Sequence, residues 1–89
     1  MDLLILVDLA SSYDEWKVVF DSDADAQAEL ISGGVLVGQA DGKTAMIVGF
    51  DVNMEGLAAF MGTPEFAART AAVVAGHRVF SLTELPPPS

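Results

Sequence analysis

The sequence contains no cysteine and few basic residues, and both absences narrow what the protein can do. Without cysteine, the 89 residues can form no disulfide, thiolate metal site, iron–sulfur cluster or cysteine nucleophile. Four Lys and Arg residues stand against thirteen Asp and Glu residues, which gives a net charge of −9. Such an acidic surface repels phosphate backbones and anionic lipid, so we expect neither nucleic acid nor a membrane as a partner.

Long hydrophobic runs are also missing, although 52% of the residues are hydrophobic. No run approaches the roughly 18 apolar residues that a membrane-spanning helix needs. The apolar N-terminus lacks the basic segment and the small-residue cleavage site of a secretory signal, so we expect a cytoplasmic protein. The length and hydrophobic content predict a single domain over residues 1–85, followed by a Pro-rich tail at residues 86–89.

The first part of the sequence predicts a buried strand followed by a long helix. Residues 3–9 are branched apolar side chains apart from Asp8, a pattern typical of a strand buried on both faces. Ser12 and Glu15 then have the spacing of a capping box at a helix start. Apolar residues recur every three or four positions over residues 13–31, which predicts one amphipathic helix of about five turns. Gly33-Gly34 would end this helix.

A hairpin is predicted in the middle of the chain. Strands over residues 35–39 and 44–52 flank Asp41-Gly42, a dipeptide typical of tight hairpin turns. In such a turn both central residues have positive φ, which glycine and aspartate tolerate.

Helix-capping and helix-breaking residues predict a second helix and a fourth strand in the rest of the chain. Asn53 can cap a second helix, which Gly62 interrupts and Thr63-Pro64 restarts with threonine at the cap and proline in the first turn. Gly76 would end this helix, and residues 77–85 would form a fourth strand.

The resulting order of strand, helix, strand, strand, helix and strand predicts an α+β, ferredoxin-like βαββαβ fold. We expect a four-stranded antiparallel sheet in the order 4-1-3-2, with both helices on one face. On the first strand, Leu4 and Leu6 point away from Ile5 and Val7, so apolar side chains occupy both faces. Since two helices cover only one face, we expect the other face to meet a second copy of the chain in a homodimer.

The sequence resembles the dimeric α+β-barrel superfamily, which includes the antibiotic-biosynthesis-type monooxygenases. The resemblance covers nearly the whole chain, and it is closest to small stand-alone members with no assigned function. The residues that carry it are Tyr13-Asp14-Glu15-Trp16-Lys17, Phe20-Asp21-Ser22, Gly33-Gly34-Val35, Asp41-Gly42, Phe50, the segment from Phe60 to Phe66, and Gly76-His77-Arg78-Val79.

This resemblance implies that two ferredoxin-like subunits join sheet to sheet into an α+β barrel. It also implies a small apolar or anionic ligand in a pocket between helices and sheet, or a cofactor-free monooxygenase-like reaction. The alternative is a non-catalytic dimeric module with a structural or regulatory role in protein interaction. The asparagine, tryptophan and histidine set of the haem-degrading branch is absent, and we expect no cofactor.

The candidate site lies where the end of the first strand meets the start of the fourth. Asp8 is the one charged residue in an apolar strand, and it should lie near His77 or Arg78. A buried carboxylate needs a partner, so one interpretation is a structural ion pair. In the other, Asp8 and His77 are catalytic, with Asp8 orienting His77 as a general base, and Arg78 binds an anionic group. Tyr13 and Trp16 either contact the ligand or belong to the core.

An acidic stretch at residues 21–25 is similar to the opening of a calcium-binding loop. That loop needs glycine at its sixth position and glutamate at its twelfth, where this sequence has Ala26 and Ser32. We therefore expect a solvated helix face here, and no metal site.

Overall fold

The computed structural model describes residues 1–88, which form one four-stranded antiparallel sheet and four helices. The strands follow the order β2-β3-β1-β4, which is the predicted 4-1-3-2 order read from the other edge. The ferredoxin-like arrangement predicted from the sequence is therefore confirmed. The elements are β1 (Asp2–Leu9), α1 (Tyr13–Ser22), α2 (Ala24–Leu30), β2 (Val35–Asp41), β3 (Thr44–Gly49), α3 (Met54–Met61), α4 (Pro64–Thr70) and β4 (Val74–Leu82).

The first predicted helix is two helices, because the chain leaves helical geometry at Asp23. The Phe20 carbonyl oxygen accepts the Asp23 backbone N–H at 3.2 Å, which tightens the last turn of α1. The same oxygen accepts Nε2 of Gln27 at 2.7 Å. The Asp23 carboxylate is held by Arg69 of α4 at 3.0 Å. The prediction of one continuous helix is therefore wrong. The apolar periodicity continues through residue 23, but the polar contacts of Asp23 and Gln27 accompany a break in the helix at that point.

The predicted helix starts at Ser12, Asn53 and Thr63 are confirmed. Each cap residue has extended backbone geometry and a side-chain oxygen that accepts a backbone N–H three residues later, as a helix N-terminus requires. The predicted interruption at Gly62 separates α3 from α4. The donors and distances are Glu15 N–H at 3.1 Å, Gly56 N–H at 3.0 Å and Phe66 N–H at 3.2 Å.

The last helix and strand have other bounds than the sequence predicts. Helix α4 ends at Thr70 rather than at Gly76, and β4 spans Val74–Leu82 rather than residues 77–85. The pairing of β1 with β4 shifts between Asp8 and Leu9, where Ala75 of β4 has no partner, so that Leu9 pairs with Val74 and the strand extends toward the helix. Gly76 therefore lies inside β4, opposite Asp8.

The hairpin between β2 and β3 is present, but its turn differs from the predicted one. Asp41 pairs with Thr44, so the two turn residues are Gly42 and Lys43, and neither has positive φ. A register shift between Gln39 and Asp41 and a side-chain contact hold the turn instead. Oδ1 of Asp41 accepts the Lys43 backbone N–H at 2.8 Å, and this hydrogen bond holds the pKa of Asp41 below its usual value.

The core lies between the helices and one face of the sheet. Leu3, Ile5 and Val7 of β1 are buried there. Trp16 of α1, 3% exposed, packs with Ile5 and Val7, and Leu3 packs with Ile31 and Val52. Ile47 of β3 pairs with Ile5 and faces the same way. We call this side the helix-covered face.

The opposite side of the sheet carries no helix within residues 1–88, and we call it the open face. One row of four apolar side chains crosses all four strands there, because Leu36 pairs with Val48, Val48 with Leu4, and Leu4 with Phe80. Leu36 and Phe80, at the two ends of the row, are 62% and 44% exposed. The apolar side chains of the open face are Leu4, Leu6, Leu36, Met46, Val48, Phe80 and Leu82.

Among the four helices of residues 1–88, none is long and apolar enough to cross a membrane.

Candidate functional site

A cavity of about 70 Å³ lies between the helix-covered face and the helices. Ile5 and Ile47 form its floor, and side chains of all four helices form its walls. The cavity exists because each half of the chain breaks its helix, at Asp23 and at Gly62, so that four short helices surround the central strands. A concave, mostly apolar space of this kind is the usual form of a small-molecule site.

Aromatic rings line two sides of this cavity. Trp16 and Phe20 of α1 stack with ring centroids 5.0 Å apart and an interplanar angle of 26°. Phe60 of α3 and Phe66 of α4 lie 5.3 Å apart, and Phe66 lies 6.0 Å from the ring of His77. A ligand in the cavity would therefore contact aromatic faces and edges.

Asp23, Gln27, Thr70 and His77 are the polar side chains that line the cavity. The Asp23 side chain is 12% exposed and forms its ion pair with Arg69. Thr70 donates its hydroxyl hydrogen to the Phe66 carbonyl at 2.9 Å. Asp23 lies at the α1–α2 break, Gln27 within α2 and Thr70 at the end of α4, so these three polar groups gather on the helical side.

His77 is the polar residue that the sheet contributes to the cavity. It pairs with Val7 in β4, and its half-buried ring points to the helix-covered face. Burial lowers its pKa from 6.5, while the negative charge of Asp8 acts more weakly in the opposite direction. The ring is therefore neutral at pH 7, and one of its nitrogens can accept a proton.

We expect His77 to make the protein less stable in mild acid. Its pKa in the folded state lies below the unfolded value of 6.5, so the unfolded chain binds a proton more readily as the pH falls through 6.5. Thermal unfolding from about pH 7.5 to about pH 5.5 should show a larger loss of stability in the wild type than in His77→Gln. The variant is a matched control, because both proteins share every carboxylate. Equal losses in the two proteins would contradict this assignment.

Asp8 and Arg78 form an ion pair with 3.1 Å between Oδ1 and the guanidinium nitrogen. Both side chains lie at the end of the open face, about half exposed, and neither lines the cavity. The predicted approach of Asp8 to Arg78 is thus observed. Among residues 1–88, Asp8 makes no hydrogen bond to His77, which points to the other face of the sheet.

The two predicted aromatic residues occupy different places. Trp16 lines the cavity and is also part of the buried core. Tyr13 packs beside it with ring centroids 5.6 Å apart, but it does not line the cavity. The structure brings two of the predicted site residues, Trp16 and His77, together in the cavity. The other three predicted residues, Asp8, Tyr13 and Arg78, do not line it.

Several residues of the cavity have no signal in the sequence that marks them as functional. Asp23 and Gln27 lie inside the segment that the apolar periodicity predicts as one helix. Only the structure shows their contacts at the helix break, which are the ion pair of Asp23 with Arg69 and the hydrogen bond of Gln27 to the Phe20 carbonyl. The segment from Phe60 to Phe66 did carry part of the family resemblance, and its two phenylalanines form a cavity wall.

Within residues 1–88, no three His, Asp or Glu side chains are arranged to hold a metal ion. In the acidic stretch at residues 21–25, Asp21 pairs with Lys17 at 2.6 Å and Asp23 pairs with Arg69.

Comparison with solved structures supports the fold. A structure that matches is that of SnoaB, a cofactor-independent oxygenase from Streptomyces nogalater, with a TM-score of 0.58 and 12% sequence identity. The match covers 98% of this chain and 96% of SnoaB. It supports the ferredoxin-like fold that the sequence predicts. No protein-family model matches the chain, and no curated protein matches it.

Proposed function

We propose that the cavity binds a small, mostly apolar molecule and that His77 removes a proton from it, as the first step of a cofactor-free oxygenation. The observation that carries this proposal is a neutral, half-buried imidazole facing an aromatic cavity between helices and sheet. The shared fold with a cofactor-independent oxygenase supports the reaction class.

The chemistry requires a base in a site that keeps water away. In an oxygenation without a cofactor, the substrate itself supplies the electrons that O₂ accepts, and it does so most readily after losing a proton. A neutral ring nitrogen of His77 can take that proton. The surrounding rings of Trp16 and Phe66 exclude water, which strengthens the interaction of the deprotonated substrate with the new imidazolium.

The volume limits the part of a ligand that the cavity encloses. About 70 Å³ is roughly half of an engineered apolar cavity of about 150 Å³ that holds benzene. The cavity is partly open to solvent, so a larger molecule would place a few atoms beside His77 and extend through the opening. A small substrate, or one with a small reactive end, is therefore proposed.

Trp16 reports directly on occupancy of the cavity, since it is the only tryptophan in the sequence. Native mass spectrometry of the purified protein should show a copurified small molecule, and adding that molecule to stripped protein should change Trp16 fluorescence. His77→Gln should keep this fluorescence response and lose oxygen consumption about 100-fold or more. An unchanged rate of oxygen consumption in His77→Gln would reject the base, and no fluorescence response would reject the site.

We also propose that two copies of the chain pack open face to open face. The apolar row through Leu36, Val48, Leu4 and Phe80 supports this arrangement, since apolar surface of this extent is normally covered. A groove of about 200 Å³ along Leu36, Met46 and Val48 offers room for side chains of a facing copy. The family resemblance implies the same sheet-to-sheet dimer.

The second candidate function follows from the same open face. If the open face binds a different protein rather than a second copy, the chain is a non-catalytic interaction module. The exposure of Leu36 at 62% and of Phe80 at 44% favours an apolar partner in that case. The mass of the purified assembly distinguishes the two functions, because a homodimer contains this chain alone.

A further inference from the structure

We propose that Asp23, Gln27 and Thr70 form an acceptor subsite, which selects ligands that carry a hydroxyl or N–H donor and rejects ligands that carry a carboxylate. This inference rests on the proposed function of the cavity, and it goes further by assigning the chemistry of the ligand. All three side chains line the cavity.

The carboxylate of Asp23 is the charged member of this subsite. Its Oδ1 lies 3.0 Å from a guanidinium nitrogen of Arg69 in an ion pair, and within residues 1–88 its Oδ2 makes no hydrogen bond. The side chain is 12% exposed, so water screens its charge poorly. A ligand N–H or O–H can therefore donate to Asp23, while a ligand carboxylate would be repelled.

Gln27 and Thr70 have already used donor hydrogens inside the protein. Nε2 of Gln27 donates to the Phe20 carbonyl at 2.7 Å, and the Thr70 hydroxyl donates to the Phe66 carbonyl at 2.9 Å. The Gln27 carboxamide oxygen and the lone pairs of the Thr70 hydroxyl remain as acceptors. Besides one remaining N–H of Gln27, the helical side of the cavity therefore presents oxygen acceptors to a ligand.

Arg69 is the cation that pairs with the subsite, and this pairing with Asp23 keeps it from binding an anionic ligand. Its guanidinium lies 3.0 Å from the Asp23 carboxylate and 5.9 Å from the ring centroid of Phe60. Both contacts hold the positive charge in place. Removing the charge of Asp23 would free Arg69 to pair with a ligand carboxylate.

Three small five-membered-ring probes test this assignment. Pyrrole carries an N–H donor, furan has nearly the same shape without a donor, and pyrrole-2-carboxylate adds the negative charge. Two-dimensional NMR titrations that follow His77 and Phe66 should show pyrrole binding about three- to tenfold more tightly than furan. Pyrrole-2-carboxylate should show no saturable shifts at these residues.

Asp23→Asn supplies the decisive variant. It should bind pyrrole-2-carboxylate at least tenfold more tightly than the wild type, because Arg69 is no longer neutralised. Asp21→Asn is the matched control, since it removes the same charge from the neighbouring ion pair with Lys17, which lies outside the cavity. The control should keep the wild-type order of affinities, and a circular dichroism spectrum should confirm that both variants are folded.

The outcomes separate this inference from the proposed function. If furan and pyrrole both shift the cavity resonances with equal affinity, or if Asp23→Asn and Asp21→Asn respond alike, the acceptor subsite is wrong while the cavity remains a binding site. If no probe shifts the cavity resonances in any variant, the binding site and the subsite are both rejected.

Discussion

Val48→Asp is expected to convert the proposed homodimer into a monomer. Val48 lies on a central strand of the sheet, in the apolar row that crosses the open face. Aspartate is too short to lift its charge out of a sheet-to-sheet interface, and each interface would contain two such charges. An uncompensated buried charge costs about 3–5 kcal/mol, which weakens a dimer roughly a hundredfold to several thousandfold. Sedimentation velocity at several micromolar concentrations measures the change.

Val18→Asp is the matched control for this experiment. Val18 is 71% exposed on α1, on the side of the molecule away from the open face, and the substitution adds the same charge. We expect the control to stay dimeric. A wild-type protein that is monomeric throughout this concentration range, or a Val48→Asp protein that stays dimeric, would contradict the interface.

The open face was predictable because strand geometry allows only two directions for a side chain. Alternation along β1 puts Leu4 and Leu6 opposite Ile5 and Val7, whatever the details of the sheet. Burial then shows which set the helices cover, since Ile5 is 6% exposed and Val7 is 0% exposed. The sequence pattern indicates two apolar faces. Only the packing of the helices on the sheet shows which of the two faces is open.

The helix caps were predictable for a similar reason, because a cap depends on residues three positions apart. Ser12 and Thr63 act within their own segments, and both are observed as caps. At the break, Asp23 forms an ion pair with Arg69, which lies 46 residues further along the chain. The periodicity of the residues around Asp23 therefore does not predict the break. The cavity has the same origin, since its walls are set by how four helix fragments pack on the sheet.

The pairing of Asp8 with Arg78 shows where reasoning from topology stops. Strand order brought the end of β1 to the start of β4, and the two side chains meet there at 3.1 Å. The one-residue alternation between His77 and Arg78 then sends the imidazole to the helix-covered face and the guanidinium to the open face. Which of the two meets Asp8 depends on the strand register, in which Val7 pairs with His77 and Leu6 with Arg78, and the sequence pattern does not fix this register.

Trp16→Ala is expected to have the largest effect on stability. The side chain is 3% exposed and packs between Tyr13 and Phe20, with ring centroids 5.6 and 5.0 Å away. Replacing a buried tryptophan with alanine costs about 3–5 kcal/mol, a large share of the roughly 5–15 kcal/mol that stabilises a typical domain. For a domain of this size, the midpoint of thermal unfolding should fall by about 12–40 °C.

Circular dichroism at increasing temperature measures this loss, and Val18→Ala is the control. Val18 is on the same helix and 71% exposed, so its truncation should change the free energy of unfolding by less than about 0.5 kcal/mol. A loss below about 1 kcal/mol for Trp16→Ala would contradict the packing, since that is the range of ordinary substitutions.

Adding indole distinguishes a lost cavity wall from a general loss of structure. Trp16→Ala joins the volume of the missing ring to the existing cavity of about 70 Å³, which creates an apolar space of the shape of indole. A ligand that binds only the folded state at a hundred times its dissociation constant stabilises that state by about 2.7 kcal/mol. Indole should therefore raise the unfolding midpoint of Trp16→Ala and leave that of the wild type nearly unchanged, because the tryptophan already fills the space. Equal shifts in both proteins would show that indole does not bind in the space that Trp16 vacates.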